Sequence, residues 1–154
     1  MEKIIDPIDK KTLEKELTPE KFVRCTNYGE NYIFSVTHHD SPNIMLEIGR
    51  LREVAFRAAG GGTGKSADID EFDTAEIPYH QLIVWDPINH EILGGYRYIV
   101  TKEAPKDKNG MPLLATSQLF NYSEKFKKEY LPYLIELGRS FVQPTYQSSK
   151  STRK

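Results

Sequence analysis

The chain has 154 residues, 38% hydrophobic and 28% charged, and its 21 basic and 22 acidic residues leave a net charge of −1. These values are typical of one globular domain, and they exclude the basic excess of a general nucleic-acid binder. The single cysteine, Cys25, excludes an intrachain disulfide, and the sequence contains neither an 18-residue apolar run nor a signal-peptide core. We therefore expect a cytoplasmic protein that binds no nucleic acid.

The first half of the chain predicts a polar extension followed by a strand and a helix. Residues 1–31 are expected to form a polar N-terminal extension with helical character, because Leu13 and Leu17 are spaced to share a helix face. Residues 32–37 are rich in β-branched and aromatic side chains and predict a strand. Apolar residues recur at helical spacing through 43–58, and the glycine run that follows must end that helix.

The second half predicts a hairpin, a helix and a further strand. Residues 80–86 and 91–100 are expected to form two strands joined by a short turn, and two consecutive glycines in the second strand indicate a bulge or a close approach of backbones. Asn121 opens a capping-box pattern that predicts a helix to about residue 134, and 135–142 forms an apolar strand. This order predicts an α+β protein with a mixed, mostly antiparallel sheet flanked by helices.

We divide the chain into the N-terminal extension at 1–31, a core domain at 32–147 and a basic tail at 148–154. The tail ends in Lys-Ser-Thr-Arg-Lys and has no apolar residue to anchor it. Such a tail is usually solvated, and contact with a phosphate or a lipid headgroup is the alternative.

Residues 59–66, Ala-Gly-Gly-Gly-Thr-Gly-Lys-Ser, fit the loose pattern of a phosphate-binding loop. That chemistry needs a strand entering the loop and a helix leaving it, so that backbone N–H groups and the helix dipole meet a phosphate. Here a predicted helix enters the loop, and the acidic run 68–73 leaves it, where carboxylates would repel a nucleotide. We therefore predict a surface loop or a mobile flap over a substrate site instead of a nucleotide hydrolase.

Several arginines and aspartates stand beside apolar runs, where an unpaired charge is costly to bury. We expect them to converge on one polar site, either as a buried ion-pair network or as a direct ligand site, and both roles can hold together. They are Arg52, Asp68, Asp70, Asp73, Arg97 and Arg139. The aspartate spacing lacks the remaining ligands of a calcium loop, and the four histidines have no metal-binding spacing, so we expect no metal.

Five short motifs occur in an order and spacing that resemble a known family. They are Leu51-Arg52-x-x-x-Phe56, Asp70-Glu71-Phe72-Asp73, His80-Gln81-Leu82-Ile83-Val84, Gly94-Gly95-Tyr96-Arg97 and Glu136-Leu137-Gly138-Arg139-Ser140-Phe141-Val142. Over about residues 32–147, the chain is similar to the hemolysin-like acyltransferases of the GNAT superfamily. That group includes enzymes that N-acylate ornithine or glycine to begin aminolipid synthesis, and it is related to the acyl-homoserine-lactone synthases.

The resemblance implies a GNAT-like fold that is incomplete at the C-terminus, because the half-site for the pyrophosphate of the acyl carrier would follow the last strand. It implies an N-acyltransferase that moves a fatty acyl group from an acyl-carrier-protein or CoA thioester to the amine of an amino acid, with no bound cofactor. Peripheral contact with the inner membrane face is a further expectation. A signal-lactone synthase and a catalytically silent GNAT-like binding domain are the alternatives.

The resemblance also implies roles for the charged candidates. Glu136 is the catalytic base or the group that positions the amine. Asp70 and Asp73 attract the ammonium of the amino acid. Arg97 and Arg52 hold its carboxylate or orient those acids, since arginine suits a bidentate clamp.

Three further candidates complete this expected site. Arg139 braces the catalytic carboxylate or faces the phosphate of the carrier. Phe56 and Trp85 line an acyl channel, unless they are ordinary core aromatics, which is the commoner role for an aromatic residue in a helix or strand.

Overall fold

The structure, a computed structural model, describes residues 1–147, so the predicted basic tail at 148–154 lies outside the described residues. Within that range the chain forms five β-strands and four α-helices. The strands are β1 (Phe22–Cys25), β2 (Tyr32–Val36), β3 (His80–Asp86), β4 (Glu91–Val100) and β5 (Ile135–Val142). The helices are α1 (Lys10–Glu16), α2 (Pro42–Ala58), α3 (Glu71–Thr74) and α4 (Glu124–Glu129).

The strands form one sheet in the order β1-β2-β3-β4-β5, and each neighbouring pair is antiparallel. The predicted α+β architecture with a mostly antiparallel sheet is confirmed, and the part of the chain that the structure describes contains no parallel pair. Strands β2 to β5 and helix α2 lie where the sequence pattern predicts them, to within about one residue at each end. Helix α2 covers one face of the sheet and thereby carries its polar residues toward the strands.

Two apolar clusters hold these elements together. The main core lies between α2 and the sheet and contains Leu13, Phe34, Val36, Ile44, Met45, Ile48, Leu51, Ala55, Ile83, Trp85, Ile92 and Phe141. The second core lies beneath the long connection between β4 and β5 and contains Tyr79, Ile99, Ala104, Leu114 and Leu131.

The two aromatic residues predicted to line an acyl channel belong to the main core. Trp85 is only 3% exposed, and Phe56 packs against the same cluster. Alternate residues of β3 point toward α2, and this alternation buries Trp85. Core packing accounts for both side chains, so we assign them to the core instead of a channel.

Two elements differ from the sequence prediction. Residues 22–25, inside the predicted helical extension, form β1 and pair with β2; all four are exposed, so no burial alternation marks the strand. Helix α4 is capped by Ser123, whose hydroxyl accepts a hydrogen bond from the Phe126 N–H at 3.2 Å, so the cap predicted at Asn121 is wrong. The helix also ends earlier than predicted, before Pro132, which cannot donate to an α-helical ladder.

A β-bulge shapes the sheet where β4 and β5 meet. Arg139 and Ser140 together lie opposite Tyr96, and Arg139 has a φ of 52°, in the left-handed region. The predicted close approach of backbones is confirmed nearby, since a Cβ atom on Gly94 would lie 2.6 Å from the carbonyl oxygen of Phe141. The bulge places the Arg139 side chain among the acidic residues that precede and begin α3.

The glycine-rich loop after α2 binds a carboxylate of its own chain. Buried Glu53 accepts hydrogen bonds from the N–H groups of Thr63 at 3.0 Å and Gly64 at 2.8 Å, and from Arg57 Nε at 2.6 Å. Burial alone would raise the pKa of Glu53, but a hydrogen bond from the Thr63 hydroxyl at 2.6 Å and the three bonds above lower it to about 2. A phosphate would have to displace this internal anion, which agrees with the prediction against a nucleotide hydrolase.

Replacing Glu53 by glutamine tests whether its carboxylate anchors the glycine-rich loop. The pKa of Glu53 is lowered from 4.5 to about 2 in the fold, so the ionised carboxylate stabilises the protein fully above pH 4.5 and loses that effect as the pH falls toward 2. Glu53→Gln should lower the free energy of unfolding at pH 7 by about 1–3 kcal/mol and flatten its acid dependence. Urea denaturation across this pH range measures both, with the exposed Glu76→Gln as control. A variant as stable and as acid-sensitive as the wild type contradicts the anchoring role.

Candidate active site

Three arginines and three aspartates of the described chain converge where α2, α3, β4 and β5 meet. Each arginine comes from a different element, and the aspartates come from α3 and the turn before it. We call these residues the Arg–Asp network: Arg52, Asp68, Asp70, Asp73, Arg97 and Arg139. The predicted convergence of these six side chains on one polar site is confirmed.

The centre of the network is the ion pair between Arg52 and Asp73. The two side chains are 0% and 1% exposed, and Arg52 Nη1 lies 3.1 Å from Asp73 Oδ2. Gln81 on β3 completes the contact, because its Nε2 donates to Asp73 Oδ1 at 3.0 Å and its Oε1 accepts from Arg52 Nη2. A charge pair without access to solvent can act on a substrate only by orienting other groups.

Asp70 links this buried pair to the other two arginines. As the N-cap of α3 it accepts hydrogen bonds from the N–H groups of Phe72 and Asp73, and the Asp73 carboxylate accepts from the Asp70 N–H in return. The Asp70 carboxylate also lies 2.6 Å from Arg97 Nη1 and 3.2 Å from Arg139 Nη2. Burial alone would raise the pKa of Asp70, but hydrogen bonds and charge from the two arginines lower it.

The Asp68 carboxylate has fewer hydrogen-bond partners than that of Asp70. Its N–H donates to the Gly49 carbonyl at 2.9 Å, which ties the segment before α3 to helix α2. Its Oδ2 lies 3.3 Å from Arg139 Nη1, but without hydrogen-bond geometry, and no other partner for this oxygen exists among residues 1–147. Burial raises the pKa of Asp68, and the charges of Arg139 and Arg52 oppose this rise only in part.

The network neutralises its own charges, and this bears on the roles predicted for four of its residues. Asp70 and Asp73 already face arginines, so neither is an open carboxylate for a substrate ammonium. Arg52 and Arg97 are buried against those aspartates, so neither presents an open guanidinium to a substrate carboxylate. Their contacts support the alternative role, in which they orient the acids and fix α3 on the sheet.

Arg139 is the arginine of the network that solvent reaches. Its side chain is 32% exposed, against 4% for Arg97 and 0% for Arg52. It pairs with aspartates instead of the carboxylate of Glu136, so the predicted bracing of Glu136 is not observed. A guanidinium has five N–H donors, and the exposed ones on Arg139 remain available to an anionic ligand.

Glu136, the predicted catalytic carboxylate, lies near the start of β5 and is held by uncharged donors. Its Oε1 accepts from the Tyr79 hydroxyl at 2.7 Å, and its Oε2 accepts from the Thr116 N–H at 3.3 Å and from the Thr116 hydroxyl. Among residues 1–147 it forms no ion pair. Glu136 therefore differs from the three aspartates, because its orientation is fixed while its charge is not neutralised by an arginine.

Tyr79 joins Glu136 to the Arg–Asp network. Its ring is buried, and the guanidinium carbon of Arg97 lies 5.1 Å from the ring centre, within cation–π range. Its hydroxyl donates to Glu136 and accepts from the Ala115 N–H at 3.0 Å. Burial raises the pKa of Tyr79, and the hydrogen bond to Glu136 acts in the same direction, so the hydroxyl keeps its proton.

Sequence reasoning gave no role to Tyr79, Gln81 or Thr116. Gln81 could have been noticed, because its polar amide stands at an inward-facing position of an apolar strand. Tyr79 and Thr116 are 57 and 20 residues from Glu136 in sequence, and no local pattern indicates those contacts.

The network does not have the arrangement of a metal centre. Among residues 1–147, no group of three or more His, Cys, Asp and Glu side chains is placed to hold a metal ion. Within the same range, no helix combines the length and the apolar character needed to cross a bilayer.

Comparison with known proteins identifies relatives of this chain. Residues 51–154 match the family described as acetyltransferase (GNAT) domain. The chain is 58% identical over all 154 residues to a glycine N(alpha)-acyltransferase of Phocaeicola vulgatus and 57% identical to one of Bacteroides thetaiotaomicron. It spans about half the length of these relatives, 47% and 46% respectively. No solved structure matches the chain.

The buried ion pair gives a direct stability test. Arg52→Met leaves the Asp73 carboxylate without its closest cation in a site closed to solvent, so the free energy of unfolding should fall by about 3–5 kcal/mol. Arg24→Met removes an exposed arginine on β1 and should change it by less than about 1 kcal/mol. Chemical denaturation of the two variants makes the comparison. Equal stability of both would mean that the Arg52–Asp73 pair does not hold α3 on the sheet.

Proposed function

Because this chain belongs to the acetyltransferase (GNAT) domain family, we propose that it provides the amine-acceptor side of an N-acyltransferase that acts on glycine. The activity named for its two relatives supports glycine as the acceptor. The chain spans about half the length of those relatives, and the proposal concerns the acceptor side of the site.

The observation that carries this proposal is that Glu136 is bound by uncharged donors and, within residues 1–147, pairs with no arginine. An amine attacks a thioester only as the neutral base, so the site needs a carboxylate that can take a proton, directly or through water. The aspartates of the network are committed to arginines, whereas Glu136 is bound by Tyr79 and Thr116, which carry no charge. A carboxylate has about four acceptor positions, and these donors fill three of them, which leaves one for the incoming amine.

In the proposed reaction, the glycine nitrogen attacks the carbonyl carbon of the thioester and gives its proton to Glu136. The C–N bond forms, the C–S bond breaks, and the departing thiolate takes up the proton held by Glu136, directly or through water, so the thiol leaves and the carboxylate is regenerated. The thioester itself supplies the activated acyl group. Tyr79 and Thr116 hold the Glu136 carboxylate in one orientation, so that proton transfer needs little rearrangement of the site.

Arg139 is our candidate for binding the carboxylate of glycine. It is the exposed arginine of the network, and its guanidinium keeps donors beyond those that face Asp68 and Asp70. The bulge in β5 sets its position three residues after Glu136, so one strand carries both the group for the amine and the group for the carboxylate. Arg52, Asp73 and Arg97 support this arrangement from the core.

We further propose that the donor is a fatty acyl thioester of acyl carrier protein or CoA, and that the product enters aminolipid synthesis at the inner membrane face. The motif order along the chain supports this assignment. Glycine also argues against a signal lactone as the product, because glycine has no side chain that could close a lactone ring.

Mass spectrometry of the reaction product tests the role of Glu136. The protein with glycine and a fatty acyl thioester, offered on acyl carrier protein or on CoA, should form N-acylglycine. Glu136→Gln keeps the size and the hydrogen-bond acceptor but cannot take the proton, so turnover should fall about 10²–10⁴-fold. Glu129→Gln changes an exposed glutamate on α4 and should leave turnover unchanged. A Glu136→Gln protein with wild-type turnover would remove Glu136 from the reaction.

A substrate comparison tests Arg139. Glycinamide keeps the amine of glycine and lacks its carboxylate, so the wild type should prefer glycine by at least about tenfold in kcat/KM. Arg139→Gln should abolish that preference, mainly through a higher KM for glycine. Turnover of glycinamide by the variant serves as the control for intact folding. An unchanged preference for glycine would place carboxylate binding elsewhere.

A further inference from the structure

A cavity of about 240 Å³ lies beside Glu136, under the connection between β4 and β5. Most of its wall is hydrocarbon. The apolar residues that line it are Leu114, Phe120, Phe126, Leu131, Leu134 and Ile135. The space corresponds to about eight water molecules, which is more than a packing defect in a well-filled core.

The cavity has one polar end and continues to an apolar surface. At the polar end, Tyr122 is hydrogen-bonded to the Thr116 hydroxyl, which itself donates to Glu136. Elsewhere along the wall, Phe120 is 62% exposed and Ile135 is 57% exposed. An elongated ligand with one reactive polar end and an apolar tail would fit this gradient of polarity.

We propose that this cavity binds the hydrocarbon chain of the acyl group, an inference that rests on the proposed function. The acceptor named for the relatives, glycine, consists of an ammonium, a carboxylate and one methylene, so it has no apolar part to fill such a space. The acyl chain is the apolar component of the reaction. Its carbonyl end must lie where the amine is deprotonated, which is the Glu136 end of the cavity.

The size of the cavity sets a chain-length dependence. With room for about eight non-hydrogen atoms, it holds the first part of a fatty acyl chain, and longer chains continue past Phe120 toward solvent. Each methylene that is removed from water inside the cavity should strengthen binding about fourfold. Affinity should therefore rise steeply up to about eight carbons and much less beyond that length.

Binding of the reaction product tests the cavity without requiring turnover. N-acetylglycine, N-octanoylglycine and N-dodecanoylglycine are titrated into methyl-labelled protein, and the methyl resonances are followed by NMR. N-octanoylglycine should shift the methyl groups of Leu114, Leu131 and Ile135, and leave those of the main-core residues Ile44 and Ile48 unchanged. It should bind at least tenfold more tightly than N-acetylglycine.

Two tryptophan variants locate the binding surface. Leu134 lines the cavity and is 36% exposed, whereas Leu113 is 48% exposed on the same connection and lies outside the cavity wall. Leu134→Trp should fill the cavity, so this variant should bind N-octanoylglycine no more tightly than N-acetylglycine. Leu113→Trp should keep the tighter binding of N-octanoylglycine. Both positions reach solvent, so both variants are expected to fold, and their methyl spectra verify this.

The outcomes separate this inference from the proposed function. Suppose that the protein acylates glycine, but N-octanoylglycine binds no better than N-acetylglycine or binds equally well to Leu134→Trp. The assignment of the cavity to the acyl chain is then wrong, and the proposed function stands. If N-octanoylglycine binds as described but no thioester yields N-acylglycine, the cavity stands and the proposed function fails.

Discussion

The buried ion pair between Arg52 and Asp73 is the interaction on which the rest of the site depends. It ties helix α2 to α3 across β3, with Gln81 bridging the two charges. Removing one partner would leave a charge in a region closed to solvent, at a cost of about 3–5 kcal/mol. The position of α3 is therefore fixed, and its N-cap Asp70 is held against the arginines of β4 and β5.

This constraint separates two kinds of carboxylate within one site. The aspartates of the network are neutralised by arginines and build the structure, whereas Glu136 is oriented by the uncharged donors Tyr79 and Thr116. The contact between Arg97 and the Tyr79 ring joins the two groups, so the position of the Glu136 carboxylate depends on the ion pairs behind it. The bulge at Arg139 then places a partly exposed cation on the same strand as Glu136.

The sequence pattern predicted the fold well wherever burial alternates along an element. Strands β2 to β5 and helix α2 follow their apolar periodicities. The arginines and aspartates beside those runs were expected to pair with one another, because an unpaired buried charge is costly. Strand β1 was not predicted because it is exposed throughout. The sequence left both core and channel roles open for Trp85, because residue type alone does not separate them, and the structure places this side chain in the main core. The donors to Glu136 come from distant segments, so only the folded chain reveals that this carboxylate lacks an arginine partner within residues 1–147.

A crystal structure of the protein with bound N-acylglycine tests the central claim most directly, because it locates the amide that the proposed reaction would form. Our account predicts the amide nitrogen within about 3 Å of the Glu136 carboxylate or joined to it by one water. It also predicts the glycine carboxylate at Arg139. An amide nitrogen placed against Asp70 or Asp73 instead, with Glu136 remote from the product, would contradict the account.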